Sequence, residues 1–197
     1  IGVGLVGSEM CIRDSVYRSR GKENNFFDDL ADIQWITETQ GAVDALQALD
    51  VVAKLPYVDA DRIGIMGWSY GGVVTVETQN MFNIKALGTK NRFAMHLAYY
   101  PYCYHYDDIE TTKSPMMIMS AGKDTISPSH CSERIAKISN DYNNKKHIIF
   151  ANATHNFDGD NIEAGGVPAV GPECRIHIDT DGNETVRPSN KLSLIHI

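Results

Sequence analysis

Basic clusters, membrane-length apolar runs and C-x-x-C pairs are all missing from this chain of 197 residues. The first absence, joined to a formal net charge of −7, argues against nucleic acid or an anionic membrane as a partner. The second leaves no stretch that reads as a membrane-spanning helix. The third makes a zinc or thioredoxin-type site unexpected, because Cys11, Cys103, Cys131 and Cys174 stand far apart. Internal repeats and low-complexity runs are absent too.

The two ends carry a different signal. Met10-Cys11-Ile12-Arg13-Asp14-Ser15 can be encoded by ATG TGT ATA AGA GAC AG plus one base, and Leu192-Ser193-Leu194-Ile195-His196-Ile197 by CTG TCT CTT ATA CAC AT plus one base. Those strings are reverse complements, and Val6 to Glu9 fits the same source. Residues 1–15 and 192–197 are therefore expected to be translated sequencing adapter, and are set aside from fold reasoning. The Gly2 to Gly7 stretch is then no phosphate loop. Residues 16–191, expected to be an internal fragment of a longer protein, carry a charge of −6, since Glu9, Arg13 and Asp14 lie in the excluded start. That length suits one domain with a sizeable core. On this reading the true N-terminus is missing, so neither a signal peptide nor its absence is inferred.

The most informative stretch is Ile63 to Gly72. Ile63, Ile65 and Met66 read as a short buried strand, a helix-compatible run starts at Gly71, and between them lies G-x-S-x-G as Gly67-Trp68-Ser69-Tyr70-Gly71. A strand turning sharply into a helix crowds the backbone on both sides of the serine, which is where glycine is needed. Such an elbow exposes the Ser69 hydroxyl and puts the Tyr70 N–H at a helix N-terminus, able to hold an oxyanion. The plainer alternative is a glycine-rich turn with a capping serine, since the bare pattern arises by chance in roughly one chain in fifteen of this length.

Around the elbow, apolar patterning predicts a helix from Thr37 or Thr39 to Lys54, with Thr37 and Gln40 suited to a capping box and Pro56 beyond its end. A helix over Gly71 to Gln79 follows the elbow. Phe93 to Tyr99, Pro115 to Ala121 and Lys146 to Ala151 read as buried strands, with a helix over Ser129 to Tyr142 that turns Ile135 and Ile138 inward. This alternation predicts an α/β fold with a mostly parallel sheet. Residues 16–30 read as loop, and Arg175 to Arg187 as a hairpin around Asp181-Gly182. Asp179, Asp181 and Asn183 invite a calcium loop, but Glu184 stands where that loop needs glycine.

Ligands of a parallel sheet bind beyond the carboxyl ends of its strands, and three loops there hold what a serine nucleophile needs. Ser69 follows the first strand, Asp124 the third and His155 the fourth. The imidazole takes the hydroxyl proton, and the carboxylate fixes the imidazole tautomer. Each has a plain alternative: Asp124 as the cap of a turn before Pro128, His155 as a loop histidine bonded to backbone. Asp158 competes for the acid role but stands too near His155 in sequence. Trp68, beside the serine, and Tyr102, from the cluster Tyr99, Tyr100, Tyr102, Tyr104 and Tyr106, are the side chains expected to meet substrate; Tyr99 is expected in the core and the others at the rim. His96 in a strand and His105 in a loop are given no role. Asn152-Ala153-Thr154 matches a glycosylation sequon but abuts the His155 loop.

With these residues in hand, a resemblance emerges. Val58 to Gly64 continuing through the elbow, Tyr99-Tyr100-Pro101-Tyr102-Cys103, Gly122-x-Asp124 with Pro128, and Ala153-Thr154-His155-Asn156-Phe157-Asp158 resemble the dienelactone hydrolase family of α/β-hydrolases over about residues 28–160. The resemblance implies a three-layer α/β-hydrolase fold. It also implies hydrolysis of a small-molecule carboxylic ester or lactone through an acyl-enzyme, with no metal and no organic cofactor. Some members use cysteine as nucleophile, where this chain has Ser69. The family's first strands and the loop giving the second oxyanion N–H belong upstream of residue 16, and its closing helix is not recognisable after the histidine. Cys103 and Cys131 resemble a cysteine pair of this branch, leaving a disulfide and two buried thiols both open. The rival readings are a prolyl-oligopeptidase-type peptidase, which shares the elbow and chain order, and a non-catalytic relative that only binds a ligand.

Overall fold

The structure, a computed structural model, describes residues 3–5, 11–13, 37–138, 142–158, 174–178 and 184–188. The loop expected over residues 16–30, the turn at Asp181-Gly182 and the calcium-like Asp179, Asp181 and Asn183 lie outside them. Val3–Leu5 (β1) and Cys11–Arg13 (β2) pair with each other as an antiparallel ribbon inside the stretch expected to be adapter.

Helix α1 (Glu38–Val52) opens on the predicted capping box: Thr37 Oγ1 accepts the Gln40 N–H at 3.2 Å, and Gln40 Oε1 accepts the Thr37 N–H at 3.1 Å. Then come β3 (Gly64–Trp68), α2 (Tyr70–Glu77), α3 (Met81–Leu87), β4 (Met95–Tyr99), β5 (His105–Tyr106), β6 (Met116–Ala121), α4 (Ser129–Ala136) and β7 (Lys145–Phe150), followed by β8 (Cys174–Ile178) and β9 (Glu184–Pro188). Strands β3, β4, β6 and β7 form one sheet in that order, every pair parallel. The two arms of the expected hairpin, β8 and β9, pair antiparallel with Arg175 opposite Arg187. His105, expected in a loop, is instead in β5, which pairs with β8 and places it opposite His177.

Period-two patterning decides which face of the sheet is covered. Gly67, His96, Ala98, Met116, Ile118, Ser120 and Lys145 share one buried face. Val73 and Val76 of α2, with Cys131 and Ile135 of α4, pack over its centre, and Leu46 and Leu49 of α1 with Ile84 of α3 form a second cluster beside Ile63 and Ile65. The opposite face carries Met66, Trp68 and Met95, 50%, 43% and 51% exposed among the described residues. No helix among the described residues is long and apolar enough to cross a membrane.

Two features of the covered side have measurable consequences. Cys103, beyond β4, and Cys131, on α4, are joined by a disulfide and are both fully buried. Of the two readings left open by the sequence, this is the bonded one. Closing a loop of 28 residues' separation restricts the unfolded chain by about 3.5 kcal/mol on the loop-entropy relation. The double variant Cys103→Ser/Cys131→Ser should therefore unfold in urea about 3 kcal/mol more easily than the oxidised parent.

His96 is the second. Its Nδ1 accepts from Gln79 Nε2 at 2.9 Å, while Nε2 is buried with no hydrogen-bond partner among the described residues. Burial, aided by the Lys145 ammonium, lowers its pKa from 6.5 to about 3. The unfolded chain binds the proton first, so stability is complete above the unfolded value and falls as the pH drops from 6.5 towards 3. At pH 5 the expected loss is about 2 kcal/mol, with half-buried His147, also lowered by burial, adding in the same direction. Urea midpoints at pH 7 and 5 measure it, and His96→Asn should flatten most of the difference.

Candidate active site

The parallel order puts the carboxyl ends of β3, β6 and β7 on one edge, and the three predicted residues meet there. His155 Nε2 lies 3.0 Å from Ser69 Oγ, and His155 Nδ1 lies 2.7 Å from Asp124 Oδ2. A carboxylate oxygen accepts, so Nδ1 carries the proton and Nε2 is left to accept from the serine hydroxyl. The His155 and Asp124 side chains are 6% and 2% exposed.

Ser69 occupies the N-cap position of α2, yet its side chain makes no bond to a helix amide. The capping-serine alternative therefore does not describe it. Its backbone has φ 50° and ψ −115°, a region sparsely populated by residues with a Cβ and costing about 1–3 kcal/mol. That cost is borne by ladder bonds on either side, Ser69 N–H to Tyr99 O at 2.9 Å and Val73 N–H to Ser69 O at 3.0 Å. The glycine requirement falls at Gly67, where a Cβ would stand 2.1 Å from the Gly71 carbonyl oxygen, and at Gly72, where it would stand 2.8 Å from the Tyr99 oxygen. Tyr70 is the first residue of α2, at the positive end of the helix dipole.

Asp124 does two jobs. Its Oδ1 accepts the Ile126 N–H at 3.1 Å while Oδ2 takes His155, so the turn-capping and histidine-orienting readings both describe it. Its loop is fastened to the histidine loop by Lys123 N–H to Ala153 O at 2.9 Å. Asp158, the competitor for the acid role, faces elsewhere: its Oδ1 accepts the Tyr100 hydroxyl at 2.7 Å, and its Oδ2 accepts the Trp68 indole N–H.

The aromatic residues divide differently from expectation. Trp68 is exposed beside Ser69 and stacked on Tyr99, with ring centroids 5.5 Å apart. Tyr99 is half-buried on the open face of the sheet, because strand register sets it opposite Trp68. Tyr100, Tyr104 and Tyr106 are buried rather than at the rim. Tyr102, expected to meet substrate, is 8% exposed with its ring against Tyr104 and His130. It is placed for packing in the core. Missing from the sequence reading is the contact of Tyr100 with His155: the two ring centroids lie 4.5 Å apart. The spacing of Asp158 three residues after His155 was the visible signal for the contacts around it.

A model of the dienelactone hydrolase family matches residues 11–170. The chain belongs to the dienelactone hydrolase family. It thus carries the α/β-hydrolase fold, of which β3, β4, β6 and β7 with α1–α4 are the described part. Other similarities are shorter or more distant. A probable dipeptidyl peptidase 4 of Neosartorya fischeri is 62% identical over 34 residues, 17% of this chain and 4% of that protein. A probable dipeptidyl-aminopeptidase B of Uncinocarpus reesii is 35% identical over 72 residues, 36% of this chain and 7% of that protein. The chain spans less than a tenth of the length of these curated relatives. Among solved structures, Zea mays acyl-protein thioesterase 2 aligns with a TM-score of 0.44 at 11% identity, over 59% of this chain of the dienelactone hydrolase family and 58% of that one.

Proposed function

We propose that this chain of the dienelactone hydrolase family is a serine hydrolase that cleaves a small-molecule carboxylic ester or lactone through an acyl-enzyme. The observation that carries the reading is the continuous chain from Asp124 through His155 to a Ser69 hydroxyl held on strained backbone at a strand end. Ser69 Oγ attacks the carbonyl carbon while His155 Nε2 takes its proton. The oxygen that becomes negative is held by the Tyr70 N–H at the start of α2. The imidazolium, steadied by Asp124, then protonates the leaving alkoxide, and the acyl group remains on Ser69. Water attacks that ester with His155 as base again, releasing the acid and restoring the serine. Trp68, exposed next to the nucleophile, is the side chain placed to touch the acyl or alcohol group.

A second reading, a serine peptidase, is favoured by the identity shared with a probable dipeptidyl peptidase 4 over 34 residues. Initial rates on an ester and an amide of one acyl group separate the two. Ester turnover with an amide rate at background is expected; comparable kcat/KM on both would favour the peptidase.

A further inference from the structure

Three non-glycine residues among those described have a positive φ: Ser69 at 50°, Tyr100 at 38° and Asn156 at 62°. They belong to three different strand ends, and all lie within one residue of the nucleophile, the base or the ring against the base. Strain of this kind persists only where surrounding contacts over-determine it. Secondary structure supplies some of these contacts, including the Tyr100 N–H to Met119 O bond at 2.6 Å. The side chain that joins the strand ends is Asp158.

We propose that Asp158 is a positioning residue for the Ser69–His155 pair, its single carboxylate tying the residue before the nucleophile and the aromatic ring against the base to the histidine's own loop. The proposal rests on the serine-hydrolase reading. One oxygen accepts the Tyr100 hydroxyl at 2.7 Å and the other the Trp68 indole N–H. Trp68 is bonded through its backbone to Ser69. Tyr100 packs against His155 with ring centroids 4.5 Å apart and a tilt of 58°. Phe157 closes the arrangement edge-on to Tyr100 at 5.4 Å and against Phe150 at 5.0 Å. The left-handed turn at Asn156 reverses the chain, so that residues 155 and 158 both return to the site; asparagine tolerates that conformation better than most residues.

Both donors are stiff aromatic groups, so the clamp fixes directions as well as distances. Tyr100 remains a donor over the working range, because burial and then the Asp158 carboxylate raise its phenol above the usual tyrosine value. Asp158 itself touches neither Ser69 nor His155 in these bonds; Asp124 already serves His155 Nδ1. Its effect must therefore pass through Trp68 and Tyr100. A displacement near 1 Å between nucleophile and base costs on the order of 10² in rate, so a released clamp should appear in kcat more than in KM.

The test compares the parent with Asp158→Ala and Asp158→Asn. The asparagine keeps both contacts, its oxygen accepting from Trp68 and its amide donating to the Tyr100 oxygen. Two readouts are taken: the first-order rate of Ser69 labelling at a saturating serine-directed phosphonate, and the ring proton shifts of His155, which sense the Tyr100 ring current. Asp158→Ala should label about tenfold to a hundredfold more slowly, with a thermal midpoint close to the parent's and with the His155 resonances moved. Asp158→Asn should recover most of the rate and the parent shifts. Parent-like labelling and unmoved His155 resonances in Asp158→Ala would overturn the proposal. If Asp158→Ala does not fold, Tyr100→Phe and Trp68→Phe each remove one donor, and parent-like values in both would overturn it equally. A parent that fails to label at Ser69 sinks the hydrolase reading instead. The His155 shifts then still decide the clamp: moved in Asp158→Ala they keep it, unmoved they overturn it.

Discussion

Asp124→Asn is expected to lower kcat on an ester substrate by about 10⁴ while leaving the protein folded. Asp124 Oδ1 accepts the Ile126 N–H at 3.1 Å, and Oδ2 receives His155 Nδ1 at 2.7 Å. In the asparagine variant the amide oxygen is the only atom that can still accept from Ile126. Its NH₂ group therefore turns to His155, and a donor now faces Nδ1. The imidazole adopts the other tautomer, with its proton on Nε2 pointing at Ser69 Oγ, 3.0 Å away. A base that already holds its proton cannot take the serine's. Turnover and a thermal midpoint on the same preparation measure the effect, and a loss below tenfold in a folded variant would refute the assignment of Asp124.

Arg134→Met should destabilise the fold by about 3–5 kcal/mol, the cost of leaving one member of a buried ion pair alone. Arg134 on α4 and Glu77 on α2 are 1% and 0% exposed. The guanidinium donates to Glu77 Oε1 at 2.5 Å, and its centre stands 4.7 Å over the Tyr106 ring. Tyr106 donates its hydroxyl to the other Glu77 oxygen at 2.5 Å. Burial on its own would lower the arginine, but the facing carboxylate outweighs it and the net direction is up. Met would fill much of the volume and leave Glu77 buried with the phenol alone. Removing both charges, as in Arg134→Met/Glu77→Leu, should recover most of the loss, because the pair's desolvation offsets much of its attraction. Urea titrations of the three proteins measure this, and a single-variant loss under 1 kcal/mol would contradict it. The pair clamps the helix behind Ser69 to the helix after the Asp124 loop, so its failure should also lower the proposed activity.

What the sequence made legible follows from how local each signal is. The four parallel strands lie in short apolar runs, and all were found to within two residues. The Thr37–Gln40 capping box is a three-residue spacing and was readable as such. Helix α3 went unseen because only Asn83 and Ile84 of its seven residues are buried, although Asn80 before it and left-handed Gly88 after it bracket a helix. Among the described residues strand β5 pairs with β8 alone, which no local pattern announces. The helix predicted to Tyr142 stops at Ala136 because Ile138 is drawn into a parallel bridge with Ile109. The meeting of Ser69, Asp124 and His155 at one edge of the sheet was legible because a serine, an acid and a histidine each follow one of its parallel strands. The burial of the tyrosines was not, since it depends on register across the sheet. In the sequence Asp158 is a carboxylate near a histidine; the partners that define it, Trp68 and Tyr100, sit on other strand ends.

The most direct test of the account is to label the chain with a serine-directed phosphonate and locate the adduct by peptide mass, with Ser69→Ala in parallel. The account predicts one adduct, on Ser69, absent from the variant. A folded protein that stays unlabelled, or an adduct that survives Ser69→Ala, would contradict it.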